Sequence, residues 1–409
     1  MDKIKKYVQV GCGSRGIFAY SKNLVNDYAD CAKLCGVYDI NIKRAKLVSE
    51  IVGQEIPVYE DFDEMIKDVK PDVVIVTTVD AFHDEYIIKA LYAGCDVISE
   101  KPLTTTFEKA LAIKKAEEET GKKVTVTFNL RYQPLFKRLK EIVAAGTIGK
   151  ILSIHYEWML DTDHGASYFR RWHRERKNSG SLLVHKSTHH FDLANWFLEE
   201  DPIAVNAYGS LRYYGHTREN RAERCLDCPY KKECEFYFDI NKDENIRKMY
   251  LNCEDVDGYY RDACVFSDKI DIEDTVSVNV LYSGGAVMSY SLTAHSPYEG
   301  ITLNLNGTEG RLEYIYKHDH SDHIINIYNR NGEKITITPP YVSEDGHSGA
   351  DEPLRDSLFR DENVHDPLGQ KADNYKGMMS IGIGMAANIS MKENRRVYLN
   401  EFYDFDKRS

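Results

Sequence analysis

Tyr7-Val8-Gln9-Val10-Gly11-Cys12-Gly13-Ser14-Arg15-Gly16 is a short β-type run flowing into glycines spaced G-x-G-x-x-G, and residues 17–28 after it carry a helical pattern. Roughly twenty residues later a second apolar run, Leu34-Cys35-Gly36-Val37-Tyr38, ends in Asp39. Three spaced glycines alone are an ordinary turn. Between a strand and a helix, with an acid closing the next strand, they predict a dinucleotide cradle formed by Gly11, Cys12, Gly13, Ser14, Arg15 and Gly16. The glycines make the turn and let the backbone approach a pyrophosphate, the helix N-terminus offers free N–H groups, and Asp39 takes the ribose hydroxyls. An acid there repels a 2′-phosphate, so NAD is expected; Lys43 and Arg44 close behind keep NADP open.

Working outward, the alternation continues. Residues 42–51 and 61–69 read as helices, and Val73-Val74-Ile75-Val76 is apolar throughout, as strands of a parallel sheet covered on both faces are. Thr77 and Thr78 end that strand, where ligands of open α/β sheets sit, and His83 opens the next helix. Asp96-Val97-Ile98-Ser99 then leads into Glu100-Lys101-Pro102, and residues 124–128 into Asn129-Leu130-Arg131-Tyr132. The expected fold is α/β: a doubly wound parallel sheet over residues 1–130, then an α+β part over 131–409. The second part has a bridging helix at 134–145 and a strand at 150–158. Further strands at 275–282, 287–292, 301–306 and 311–316 follow one another across short turns such as Ser283-Gly284-Gly285, which argues an open, mainly antiparallel sheet. A helix at 374–391 and a strand at 396–399 close the chain.

The 409 residues carry 53 basic and 65 acidic side chains, a net charge of −12, which repels nucleic acid and anionic membrane surfaces. No apolar run approaches the roughly 18 residues of a membrane span, and the charged start, Met1 to Lys6, lacks the apolar segment of a secretory signal. The expected compartment is the cytoplasm. Nine cysteines in such a chain argue for reduced thiols rather than a disulfide framework.

In mid-chain stands Val184-His185-Lys186-Ser187-Thr188-His189-His190-Phe191-Asp192. Read as one helix, it places His185, His189, Asp192 and Trp196 on a single face. Such a stripe must find partners or face a cavity, because each unpaired buried polar group costs roughly 1–3 kcal/mol. With Gly11-x-Gly13-x-x-Gly16, Glu100-Lys101-Pro102 and His189-x-x-Asp192, the chain resembles the glucose-fructose oxidoreductase, inositol dehydrogenase and MocA (Gfo/Idh/MocA) family over nearly its whole length. The resemblance implies cofactor contacts from Asp39, Arg44, Thr77, Thr78, His83, Glu100, Lys101 and Asn129, and catalysis by Lys101 and His189. It also implies an oligomer, dimer or tetramer, built on the outer face of the second sheet. The family pattern resembles Asp-x-Gly-x-His-x-x-Asp; here its first Asp is His185 and its Gly is Ser187, so an imidazole replaces an anion. His185 is accordingly a third catalytic candidate, and Lys186, Asp192, Arg170 and Trp172 are candidates for the substrate, the last two from the basic aromatic stretch 168–174.

Two stretches stand apart. Residues 217–271 read as an insertion in which Cys225-Leu226-Asp227-Cys228, Cys234 and Cys264 could hold structural zinc or an iron–sulfur cluster, or remain free thiols. Residues 344–351 read as a surface turn that could also close over a substrate. The expected activity is NAD-dependent oxidation or reduction of a secondary hydroxyl or ketone of a sugar, polyol or glycoside. Alternatives are glycoside cleavage by transient oxidation and elimination, and a non-catalytic nicotinamide-binding sensor.

Overall fold

The computed structural model describes residues 4–318, 324–339, 348–360 and 365–404. Two sheets organise them. The first follows from short runs rich in β-branched and apolar residues: β1 (Lys5–Val10), β2 (Ala32–Tyr38), β3 (Val58–Tyr59), β4 (Val73–Val76), β5 (Asp96–Ser99) and β6 (Val124–Val126) are mutually parallel. All four residues of β4 are buried, as a strand covered on both faces requires. The sheet order is β15-β6-β5-β4-β1-β2-β3, in which the edge strand β15 (Ala372–Asp373) returns from late in the chain to pair antiparallel with β6. The order reverses between β1 and β4, so their carboxyl ends open the crevice in which such sheets bind ligands.

The second sheet has nine strands: β7 (Ile151–Asp161), β8 (Pro202–Ser210), β9 (Thr275–Tyr282), β10 (Val287–Ser296), β11 (Gly300–Gly307), β12 (Gly310–Lys317), β13 (Ile324–Asn329), β14 (Lys334–Ile337) and β16 (Val397–Tyr398). Burial alternates along β9 and β10; β9 turns Val276, Val278, Val280 and Tyr282 inward. Every pairing is antiparallel except β10 with β7, which is parallel. Across the inner face lie the helices Thr188–Leu198 and Asn374–Glu393. The long helix passes so close to Leu183 that a Cβ on Gly384 would meet its carbonyl oxygen at 2.4 Å.

The mid-chain stretch differs from its expectation. It is two helices, Leu182–His185 and Thr188–Leu198, broken at Lys186 and Ser187. The break is held by Ser187, whose hydroxyl pairs with Tyr290 at 2.9 Å, while Thr188 pairs with Ser380 at 2.9 Å. His185 therefore ends one helix and His189 begins the next. The stretch 168–174 completes a helix, Thr162–Arg170, and a 3₁₀ turn, Trp172–Arg174. Of the turn expected at 344–351, residues 344–347 lie outside the described residues, and Asp351 starts a helix, Asp351–Phe359. Among the described residues no helix is long and apolar enough to cross a membrane.

Candidate active site

The first βα turn is built by close approach. Gly11 has φ +88°, and a Cβ there would lie 2.5 Å from the Thr77 carbonyl oxygen, so no other residue fits without moving β4. Gly13 differs: a Cβ there would meet only Tyr250 Oη at 3.9 Å, so the space around Gly13 itself is uncrowded. Beside it, a cleft of about 320 Å³ is lined by Tyr38, Asp39, Ile40, Ile42 and Glu60. A glycine turn and an acid-lined cleft fit an adenine dinucleotide without a 2′-phosphate.

Asp39 accepts the Cys12 N–H at 2.6 Å and the Asn41 N–H at 2.7 Å; burial pushes its carboxyl above the usual value, against the pull of Arg44. Residues 244–259 of the insertion lie over this end. Tyr250 Oη accepts the Ser14 N–H at 3.1 Å, Asp257 binds Arg44 at 2.7 Å and Asp255 binds Lys43 at 2.6 Å. The two cations that kept a 2′-phosphate open are thus paired with insertion carboxylates. Nothing in the sequence pointed to Tyr250, because its position depends on where a long insertion docks.

The other expected cofactor residues divide into two groups. Glu100 accepts from Arg15 at 2.7 Å and from Tyr20 at 2.6 Å, and Asp351 accepts from Arg15 at 2.7 Å and from Asn129 at 2.9 Å, giving one network at the mouth of the crevice. Burial pushes Glu100 up, but Arg15 and Lys101 outweigh it and hold the carboxyl below its usual value. Thr77 and His83 act on the scaffold instead. Thr77 donates to the Gly11 carbonyl at 2.6 Å. Both ring nitrogens of His83 face backbone oxygens, Pro102 at 2.8 Å and Thr78 at 3.2 Å, between the ends of β4 and β5. The Thr78 hydroxyl lies on the Val79 carbonyl at 3.3 Å.

Lys101 and the mid-chain helices converge. The Lys101 ammonium, carried past the end of β5, donates to the His185 carbonyl at 3.1 Å, one helical turn before His189. Burial lowers its pKa below the usual amine range, Lys186 adds to that, and Tyr168, Asp80 and Glu100 oppose it. His189 is buried, edge-on to Phe128 with ring centres 6.1 Å apart. His185 is buried against an aromatic wall: His173 lies 4.1 Å from it, Trp172 5.4 Å and Tyr168 5.6 Å, centre to centre. Its Nδ1 meets Asp80 Oδ2 at 2.6 Å. Lys186 sits 5.1 Å over the Trp158 ring, which stacks on His190, and burial lowers its amine as well. Asp80 and Trp158 went unread as site residues in the sequence, where each is a lone residue without spacing to mark it.

Two expected substrate residues are occupied elsewhere. Asp192 forms a two-pronged ion pair with Arg131, 2.7 Å on each arm, and both side chains are 2% exposed. A buried guanidinium needs a carboxylate, and this one takes Asp192 out of the pocket. Arg170 donates to the Phe236 carbonyl at 2.7 Å and to Cys225 Sγ at 3.1 Å, anchoring the insertion. Trp172 does face the His185 side.

The four insertion cysteines, Cys225, Cys228, Cys234 and Cys264, line one cavity of about 20 Å³. Of the alternatives open there, zinc is not supported. Among the described residues no three His, Cys, Asp or Glu side chains are placed to hold an ion, and all nine cysteines are free thiols. Burial pushes the Cys225 and Cys264 thiols up, and the Cys225 sulfur faces Arg170 at 3.1 Å.

Comparison with known proteins agrees with this geometry. The oxidoreductase family's NAD-binding Rossmann fold matches residues 5–128, and its C-terminal alpha/beta domain matches residues 140–399. YteT of Bacillus subtilis (strain 168), whose name gives it only as an oxidoreductase, is 37% identical over 98% of this chain and 99% of its own length. The scyllo-inositol 2-dehydrogenase (NAD+) of the same organism is 32% identical over 50% of this chain; the chain spans 58% of that relative. Among solved structures, an oxidoreductase from Agrobacterium radiobacter in complex with NAD+, L-tartaric acid and magnesium superposes with a TM-score of 0.68 at 16% identity, covering 98% of this chain and 100% of that one, which speaks for the fold. Two matched domains spanning the glycine turn and the Lys101 site make the chain a member of the Gfo/Idh/MocA family and an NAD(P)-dependent oxidoreductase.

Proposed function

We propose that the protein oxidises or reduces a secondary hydroxyl or ketone of a sugar, polyol or glycoside with NAD. The observation that carries this reading is the bond from the Lys101 ammonium to the His185 carbonyl: it brings an amine from the nucleotide half against the helices of the sheet half. Bound NAD supplies the hydride acceptor. Lys101, His189 and His185 are the groups that handle the hydroxyl proton, and burial, with Lys186, lowers the Lys101 amine, which favours its use as a base. His185 and Lys186 orient the hydroxyl, and Trp172 offers a sugar-stacking face. Residues 1–130 serve the dinucleotide and 131–409 the substrate. Leu152, Val287 and Ile315, exposed on the outer face of the second sheet, suit a homo-oligomer contact.

The inositol dehydrogenases among the relatives support a polyol or sugar as substrate. The test is NADH absorbance with myo-inositol, scyllo-inositol, neutral sugars and uronates. Turnover of at least one of these, lost by about 10³-fold or more in Lys101→Ala with NAD+ affinity kept within about threefold, supports the reading; absence of NADH with every substrate overturns it. Transient oxidation with glycoside cleavage is a second reading, favoured by residues 244–259 closing over the glycine turn, since a cofactor regenerated in place must stay bound. Its signature is exchange of a sugar C–H with deuterated water without accumulating NADH.

A further inference from the structure

A carboxylate from the nucleotide half meets the one mid-chain histidine that lies on Lys101. Asp80, in the 3₁₀ turn Asp80–Phe82 just past β4, places Oδ2 2.6 Å from His185 Nδ1, 105 residues away in the chain. Asp80's side chain is 3% exposed and that of His185 10%. We propose that Asp80 is a positioning residue for the reaction: it holds the His185 imidazole by Nδ1–H, so that Nε2 keeps its lone pair for the proton of the substrate's secondary hydroxyl. This deepens the oxidation of a secondary alcohol argued above and rests on it.

The electrostatics give the pair its use. Lys101 lies on the His185 backbone, Lys186 follows it in sequence, and Arg171 and His173 come from the aromatic turn; burial and these charges together push the His185 ring well below its usual pKa. A lone imidazole there would gain one more positive charge among cations on taking a proton, at high cost. Paired with Asp80 it becomes imidazolium beside carboxylate, neutral overall. Burial, with Glu100, holds the Asp80 carboxyl well above its usual value despite Lys101 and Arg171, and at 2.6 Å the proton is a property of the pair rather than of either residue. Tyr168 and Trp172 face the ring as neutral aromatics and keep water from it. In the step itself the hydroxyl O–H bond breaks, its proton passes to Nε2, and the C–H electron pair leaves as hydride to the dinucleotide that the family's activity supplies. A purely structural ion pair between the halves would make no demand on the tautomer.

The test separates these roles without a known substrate. In the full chain loaded with NAD+ and carrying nitrogen-15 histidine, the His185 signals are identified by their loss in His185→Gln. The expected result is a ring protonated on Nδ1, which in Asp80→Asn switches tautomer or titrates at a pH lower by about one or more. A wild-type ring protonated on Nε2, or one unchanged by Asp80→Asn, overturns the proposal, and the wild-type spectrum decides even if that variant fails to fold. With any polyol that yields NADH, Asp80→Asn is expected to lower kcat by about 10²-fold or more and to shift the rising limb of its pH profile, with KM within about threefold. A kcat within threefold of wild type overturns it. If no polyol yields NADH, the oxidation reading fails while the spectra still decide the pair.

Discussion

Arg131 and Asp192 illustrate how a residue can match a pattern and serve a different end. Their pair is closed off from solvent, and Arg131 also donates to the Gly369 carbonyl at 2.8 Å. Asp192→Ala leaves a buried cation unpaired, so urea unfolding should show a loss of about 3–5 kcal/mol, far more than a surface acid would give. A variant that unfolds like wild type but raises KM would return Asp192 to the substrate. Glu100 makes a pH prediction with a definite sign. Its carboxyl is held below the usual value in the folded state, so the stability it contributes is present above pH about 4.3 and is lost as pH falls through the lower folded value. In Glu100→Gln the drop in melting temperature between pH 5 and pH 3 should be correspondingly shallower.

At the scale of elements, the broken helix and the insertion decide most. Leu182–His185 and Thr188–Leu198 would be one rod by periodicity; the Ser187–Tyr290 and Thr188–Ser380 hydrogen bonds hold the break that brings the His185 carbonyl to Lys101. The insertion, anchored by Arg170, reaches the glycine turn and neutralises Lys43 and Arg44. Releasing them with Asp255→Asn and Asp257→Asn together should raise NADP+ affinity relative to NAD+ by about tenfold, read by titration of both dinucleotides; an unchanged ratio would leave the insertion no part in cofactor choice. In the turn itself, Gly11→Ala forces a Cβ into the Thr77 carbonyl at a positive φ, and should cost about 1–3 kcal/mol and lose NAD+ binding.

Across the whole molecule one apolar core joins both sheets, from Val8 and Val76 in the first to Tyr290 and Leu303 in the second. Strand β15 and the helix after it lace the late chain onto the first sheet. Calorimetry should therefore show one unfolding transition rather than one per sheet; two separated transitions would mean that the shared core contributes little.

The parallel sheet and the glycine turn were legible in the chain because each rests on a local rule, an apolar run or a fixed spacing, whereas Lys101 and His189 became candidates only through the resemblance to the family. The nine-stranded sheet was half legible, since β9 to β12 alternate cleanly, whereas the short edge strands β14, β15 and β16 carry too few residues to show a period. Asp80 on His185, Tyr250 on Ser14 and Arg131 on Asp192 could be decided only by tertiary structure. Each joins residues 61 to 236 positions apart, and what selects the partner is the need of a buried charge or donor for compensation, which no local pattern records.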